Sequence, residues 1–134
     1  DDIKATTLVG MGHAVLVTGA GMFGYDTATG KQVCTYAARG GWALVPSPDG
    51  KLFAATDFYQ PVVHVFRAGQ SELVLTLFPV GDEWVAWTSD SVWASSAGGA
   101  KFAGALSKPE PGKLPVFVPF PTKQNPDAVR AALK

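Results

Sequence analysis

The sequence predicts an all-β fold of short antiparallel strands, on three observations. Short apolar and β-branched runs follow one another along most of the chain. They are separated by Asp-Gly, Thr-Gly and Ala-Gly turns, whose glycines reach the positive φ that tight hairpins require. The pattern of strand and turn also returns at a spacing of about forty residues. Composition agrees: 15 Gly and 10 Pro in 134 residues, with 47% apolar and only 16% charged side chains, suit one folded, turn-rich domain rather than a disordered chain.

Taken in order, residues 3–9 form the opening strand. His13-Ala14-Val15-Leu16-Val17 is the second and Met22-Phe23-Gly24-Tyr25-Asp26 the third, followed by the turn Thr27-Ala28-Thr29-Gly30 and a fourth strand at 32–36. A second period begins at Trp42-Ala43-Leu44-Val45, turns at Ser47-Pro48-Asp49-Gly50, and continues through 52–56, 63–67 and 72–78. Trp84-Val85-Ala86-Trp87 repeats the Trp42 strand 42 residues later, Thr88-Ser89-Asp90-Ser91 repeats its turn, and 92–95 repeats 52–56. Four strands in some forty residues is the arithmetic of a β-propeller blade. The expected architecture is therefore a partial propeller, with blades at about 3–36 and 42–78 and three strands of a third at 84–106. Propellers close with about four to eight blades, so open faces and a strand edge are expected to need cover. A protein partner, self-association or the chain's own tail would supply it.

The tail, 107–134, differs in kind. Pro109, Pro111, Pro115, Pro119 and Pro121 deny regular backbone hydrogen bonding and predict an extended strap. Its apolar residues, Leu114, Val116, Phe117, Val118 and Phe120, are expected to pack on the sheets, as an added edge strand. Asn125 before Pro126 is an N-cap followed by a first-turn proline, which predicts a short helix over 127–133.

Ser47-Pro48-Asp49-Gly50-Lys51-Leu52-Phe53-Ala54 resembles the turn-and-strand motif of WD40-like and related bacterial propeller repeats, and Tyr25-Asp26-Thr27-Ala28-Thr29-Gly30-Lys31 resembles their third-to-fourth strand turn. Tyr25-Asp26 stands where Trp-Asp often stands, whereas the second period has Phe66-Arg67 there. Gly81-Asp82-Glu83-Trp84-Val85-Ala86-Trp87-Thr88, Ala94-Ser95-Ser96-Ala97-Gly98-Gly99 and the Asn125-Pro126-Asp127 end are similar to the C-terminal part of bacterial WD40-repeat proteins, some of which carry a caspase-like peptidase domain elsewhere. The resemblance implies a scaffold or interaction role and brings no catalytic residue with it.

Eleven basic and eleven acidic side chains balance, which argues against a general field for nucleic acid or anionic lipid. No apolar run approaches the roughly 20 residues of a membrane span. Cys34 is single, so it forms no intrachain disulfide. The start at Asp1 is that of a processed or cut chain, and the expected compartment is periplasmic or extracellular, or cytoplasmic for a piece of a larger protein.

Strand-then-Gly19-Ala20-Gly21-Met22-Phe23-Gly24 matches a dinucleotide fingerprint, the basis of an alternative reading as a nucleotide-binding oxidoreductase fragment. That chemistry needs a helix to begin at the loop, and Tyr25 to Gly30 read as a turn. His13 and His64 lack neighbours at ligand spacing, and Ser95 and Ser96 have no base and acid in a nucleophile arrangement. We therefore expect no enzyme activity, cofactor or metal. Asp26, Asp49, Asp57, Asp82 and Asp90 fall at turns, where a carboxylate accepts from nearby amides. The candidate interface residues are the aromatics: Trp42, Trp84, Trp87 and Trp93, expected first to pack between adjacent blades and to anchor a partner wherever the incomplete array leaves them exposed, and Phe58 and Tyr59 in an inter-strand loop. A related alternative is an accessory subunit of a stable multi-protein assembly, periplasmic and membrane-associated, whose partners cap the open faces.

Overall fold

The structure is a computed structural model describing residues 2–10, 12–38 and 40–134, without the side chains of Thr6, Leu8, Val9 and Trp42. It is all-β, 47% strand and 9% helix, in three antiparallel sheets among the described residues, none closed on itself. β1 (Ile3–Val9), β2 (His13–Thr18), β3 (Gly21–Asp26) and β4 (Gln32–Tyr36) form a four-stranded meander with β1 and β4 at its edges. β5 (Gly40–Pro46), β6 (Leu52–Asp57), β7 (Val63–Arg67) and β8 (Leu73–Val80) form a second, which runs on into β9 (Glu83–Trp87) and β10 (Trp93–Ser95). β11 (Gly104–Leu106) and β12 (Phe117–Pro119) make a two-stranded ribbon, and the helix α1 (Pro126–Ala132) follows.

Period-two alternation decides which face each strand buries. In β2 and β3 the partners Val17 and Met22 point inward, while Leu16 and Phe23 lie half-buried on the other side. Val15, Val17, Met22 and Tyr36 of the first sheet thereby meet Phe53, Ala55 and Phe66 of the second in one core. Tyr36 stands edge-on to Phe53 with centroids 4.9 Å apart, and Phe53 and Phe66 stack at 5.5 Å. Burying each such ring contributes about 1.5–3 kcal/mol. Gly24 sits under this contact, where a Cβ would stand 2.6 Å from Cys34 Sγ. The two sheets also touch at their turns: Gly10 and Gly50, both at positive φ, approach so closely that a Cβ on Gly50 would lie 2.3 Å from Gly10 Cα.

The third period departs from expectation. β8 and β9 are joined by a hairpin through Gly81 (φ 59°) and Asp82, with Val80 opposite Glu83. So short a turn pairs the strands it connects and cannot carry the chain to another layer. β9 and β10 therefore widen the second sheet, and residues 84–106 do not make the separate three-stranded unit expected there. β11, expected as the third strand of that unit, pairs instead with β12 from the tail.

The tail fastens to this extension. Phe120 N–H donates to Ala103 O (3.0 Å), Trp93 Nε1 to Thr122 O (3.0 Å) and Asn125 N–H to Trp93 O (2.7 Å). Asn125 Oδ1 caps α1 by accepting from Ala128 N–H, with Pro126 in the first turn. Val129 of the helix is buried among Val74, Leu75, Ala86 and Ala94. α1 thus covers one face of the β8–β10 region, while Phe102, Ala103 and Phe120 pack with Val85 and Trp93 in a separate cluster.

Candidate functional site

A meander reverses direction at every turn, so in the second sheet the β6–β7 loop and the β8–β9 turn share one end. The β2–β3 turn of the first sheet comes to the same end: Thr18 to Gly21 line a cleft of about 280 Å³ with Lys4, Phe58 and Tyr59. A larger cleft, about 590 Å³, adjoins it through Ala20, Gly21 and Tyr59, and reaches Tyr36, Asp57 and His64 between the two sheets. Tyr59 stands between the two, with Phe58 on the side of the smaller cleft.

Asp57 holds that loop in shape. Its Oδ1 accepts from the backbone N–H of Tyr59 (2.8 Å) and Gln60 (2.9 Å), the local turn that an Asp at a strand end favours. Its Oδ2 lies 3.1 Å from His64 Nε2, and His64 Nδ1 lies 3.2 Å from Thr76 Oγ1. Burial alone would raise the Asp57 carboxyl, but the amides of Tyr59 and Gln60 and the His64 ring together hold it below its ordinary value. With the carboxylate ionised, Nε2–H donates to it, and Nδ1 pairs with the Thr76 hydroxyl, so both ring nitrogens are engaged. Thr76 is 5% exposed and does not line the cleft. The row braces the loop from behind.

On this base Phe58 and Tyr59 stand 42% and 69% exposed, packed edge to face with centroids 4.9 Å apart. Lys4 Nζ sits 5.1 Å from the Phe58 ring centroid, a cation–π contact across the smaller cleft. The result is an aromatic, hydrogen-bonding surface held by a rigid turn, suited to binding.

Compared with protein-family models, curated proteins and solved structures, the chain matches none.

The other expected anchors separate by exposure. Trp84 is 38% exposed in β9, opposite Pro79, at the same end of the second sheet as the Phe58 loop. Trp87 is half-buried beside a cavity of about 360 Å³ lined also by Gly104, Ala105 and Phe120. Trp93 is buried and donates its Nε1–H to the tail, so it is a structural residue rather than an exposed anchor. Trp42 is placed in β5, but its side chain lies outside the described residues.

Gly19 and Ala20 form the β2–β3 turn, and Gly24 is a mid-strand residue paired with Val15 and Cys34. The chain leaves the turn as a strand, so this loop has no helix N-terminus to offer a pyrophosphate. Among the described residues no group of three His, Cys, Asp or Glu side chains is placed to hold a metal ion. Ser96 Oγ hydrogen-bonds to Glu83, and Glu83 accepts from Gly98 N–H (3.1 Å), which ties the end of β10 back to β9. Asp26 and Asp49 accept from Ala28 and Lys51 N–H, the turn role their positions implied.

Sequence reasoning singled out Phe58 and Tyr59 but not Lys4, which lines the same cleft, or the Asp57–His64–Thr76 row behind the loop. Alternation across β6, β7 and β8 puts Ala55, His64 and Thr76 in register on one face, a signal available only once the pairing is known.

Proposed function

We propose that the chain is a non-catalytic protein-interaction module of WD40-like, propeller-blade character, and that the Phe58-Tyr59 end is its recognition surface. The observation that supports this is the pairing of two exposed aromatics, on a loop fixed by Asp57, with two adjoining clefts. Interfaces draw most of their energy from a few aromatic anchors on pre-organised surfaces, because rigid groups lose little freedom on binding. The clefts would receive side chains of the partner, and Lys4, Gln60 and the Tyr59 hydroxyl would supply its polar contacts. Open sheet faces elsewhere favour a place within a larger assembly.

The test is site-specific photo-crosslinking in the native host, with a photoreactive phenylalanine at position 59 or, for comparison, at position 45 on the far sheet face. Position 59 should capture one defined protein. In the purified complex, the double variant Phe58→Ala, Tyr59→Ala should weaken binding by about 2 kcal/mol or more, roughly thirtyfold. Equal capture at both positions, or unchanged affinity in the double variant, would overturn the reading.

A further inference from the structure

The overall charge balance conceals a segregation. Residues 101–134 carry Lys101, Lys108, Lys113, Lys123, Arg130 and Lys134 against only Glu110 and Asp127, so this quarter of the chain is net +4 and the remainder net −4. The only acid between Lys101 and Lys123 is neutralised locally, Glu110 Oε2 lying 2.6 Å from Lys113 Nζ.

The same segment bears the densest exposed apolar surface of the described chain. In the β11–β12 ribbon and its loop, Leu106 is 69% exposed, Leu114 87%, Val116 64%, Phe117 44% and Val118 50%. These residues are held in place: Ser107 N–H donates to Val116 O (2.8 Å), and Val116 N–H donates to Ser107 Oγ (3.0 Å). Leu106 lies opposite Phe117 and shares its face, while Val116 and Val118 alternate onto the other, and an exposed apolar patch such as theirs marks a surface that is covered in use.

We propose that this ribbon docks on an anionic membrane surface. Leu114, Val116 and Val118 enter the headgroup and upper acyl region, and three exposed flanking lysines, Lys101, Lys108 and Lys123, meet lipid phosphates. Apolar insertion and basic charge reinforce each other at such an interface, where neither alone anchors a protein well. The prolines distinguish this occupant from a protein strand added to the ribbon edge. Strand addition draws affinity from main-chain hydrogen bonds, yet Pro109, Pro111, Pro115, Pro119 and Pro121 remove five backbone donors from the segment. In a lipid interface a missing donor is one fewer group to desolvate without a partner.

Vesicle flotation of the full chain tests the proposal, using phosphatidylcholine alone or with about a third phosphatidylglycerol. The chain should float with the mixed vesicles at low salt, and about tenfold less with neutral ones or in 1 M salt, where the screening length falls to about 3 Å. Leu114→Asp with Val116→Asp should abolish flotation, and Lys108→Glu with Lys123→Glu should abolish the preference for anionic lipid. Val45→Asp, the same change on an exposed residue of the other sheet, should float normally; near-ultraviolet circular dichroism checks that each variant stays folded. Absence of flotation with anionic vesicles at low salt, or equal flotation of all variants, would overturn the proposal. So would a concentration-dependent dimer that Leu114→Asp dissolves in a chain that does not float, which would assign the ribbon to a second copy.

Discussion

Asp57 gives the clearest prediction at the scale of single residues. Its carboxylate accepts two backbone amides of the loop and faces the part-buried ring of His64, which loses its acceptor with it, so Asp57→Ala should cost about 2 kcal/mol in urea unfolding. Because its folded value lies below the ordinary 3.8, the stabilisation is complete above the unfolded value and disappears as pH falls through the folded one. The wild-type urea midpoint should hold steady from pH 7 to about 5 and decline below about 4. Asp57→Asn should lower the plateau and shallow that decline without removing it, since Asp26 and Asp49 are shifted the same way by their own turn hydrogen bonds. A decline of equal steepness in Asp57→Asn would mean the carboxylate contributes nothing to acid sensitivity. Asp57 at a strand end was legible in the sequence as a turn carboxylate. Its alliance with His64 was not, because hydrogen bonding between strands depends on register and leaves no local mark.

Strands and turns separate two kinds of glycine. Gly30 and Gly50 have nearly the same positive φ, 67° and 69°, yet a Cβ on Gly30 meets open space and one on Gly50 meets the Gly10 backbone. Gly30→Ala should therefore cost about 1 kcal/mol from the left-handed backbone alone, while Gly50→Ala should cost at least about 2 kcal/mol more as the turns of the two sheets are forced apart. Thermal melts of the two variants compare them directly, and similar losses would show that the turn contact adds nothing. Most strands could be read from the sequence to within a residue or two, because alternation such as that of Val15, Val17 and Met22 is a local property. The short helix was equally legible from Asn125 and Pro126. The fate of residues 84–106 was not, since Trp84 to Trp87 resembles the opening of a period while the two residues before Glu83 turn the strand back on its predecessor.

For the molecule as a whole, one core joins the two large sheets through Tyr36, Phe53 and Phe66, and the tail is tied to Trp93. The parts should therefore unfold together. Far-ultraviolet circular dichroism and tryptophan fluorescence are expected to give coincident urea transitions, and Phe53→Ala should lower both by about 3–5 kcal/mol. Two separated transitions would mean that the β8–β10 region with its tail is a second folding unit. The uncapped β4 has a further effect, one that emerges over hours of storage rather than at equilibrium. Residues 32–36, Gln-Val-Cys-Thr-Tyr, contain no proline and no charge, and Val33 is 48% exposed beside the unpaired rim. An edge so poorly guarded is a seed for intermolecular cross-β stacking. Turbidity on gentle warming should accordingly start there, and a single gatekeeper charge, Val33→Lys, should lengthen the lag while leaving the melting temperature almost where it was.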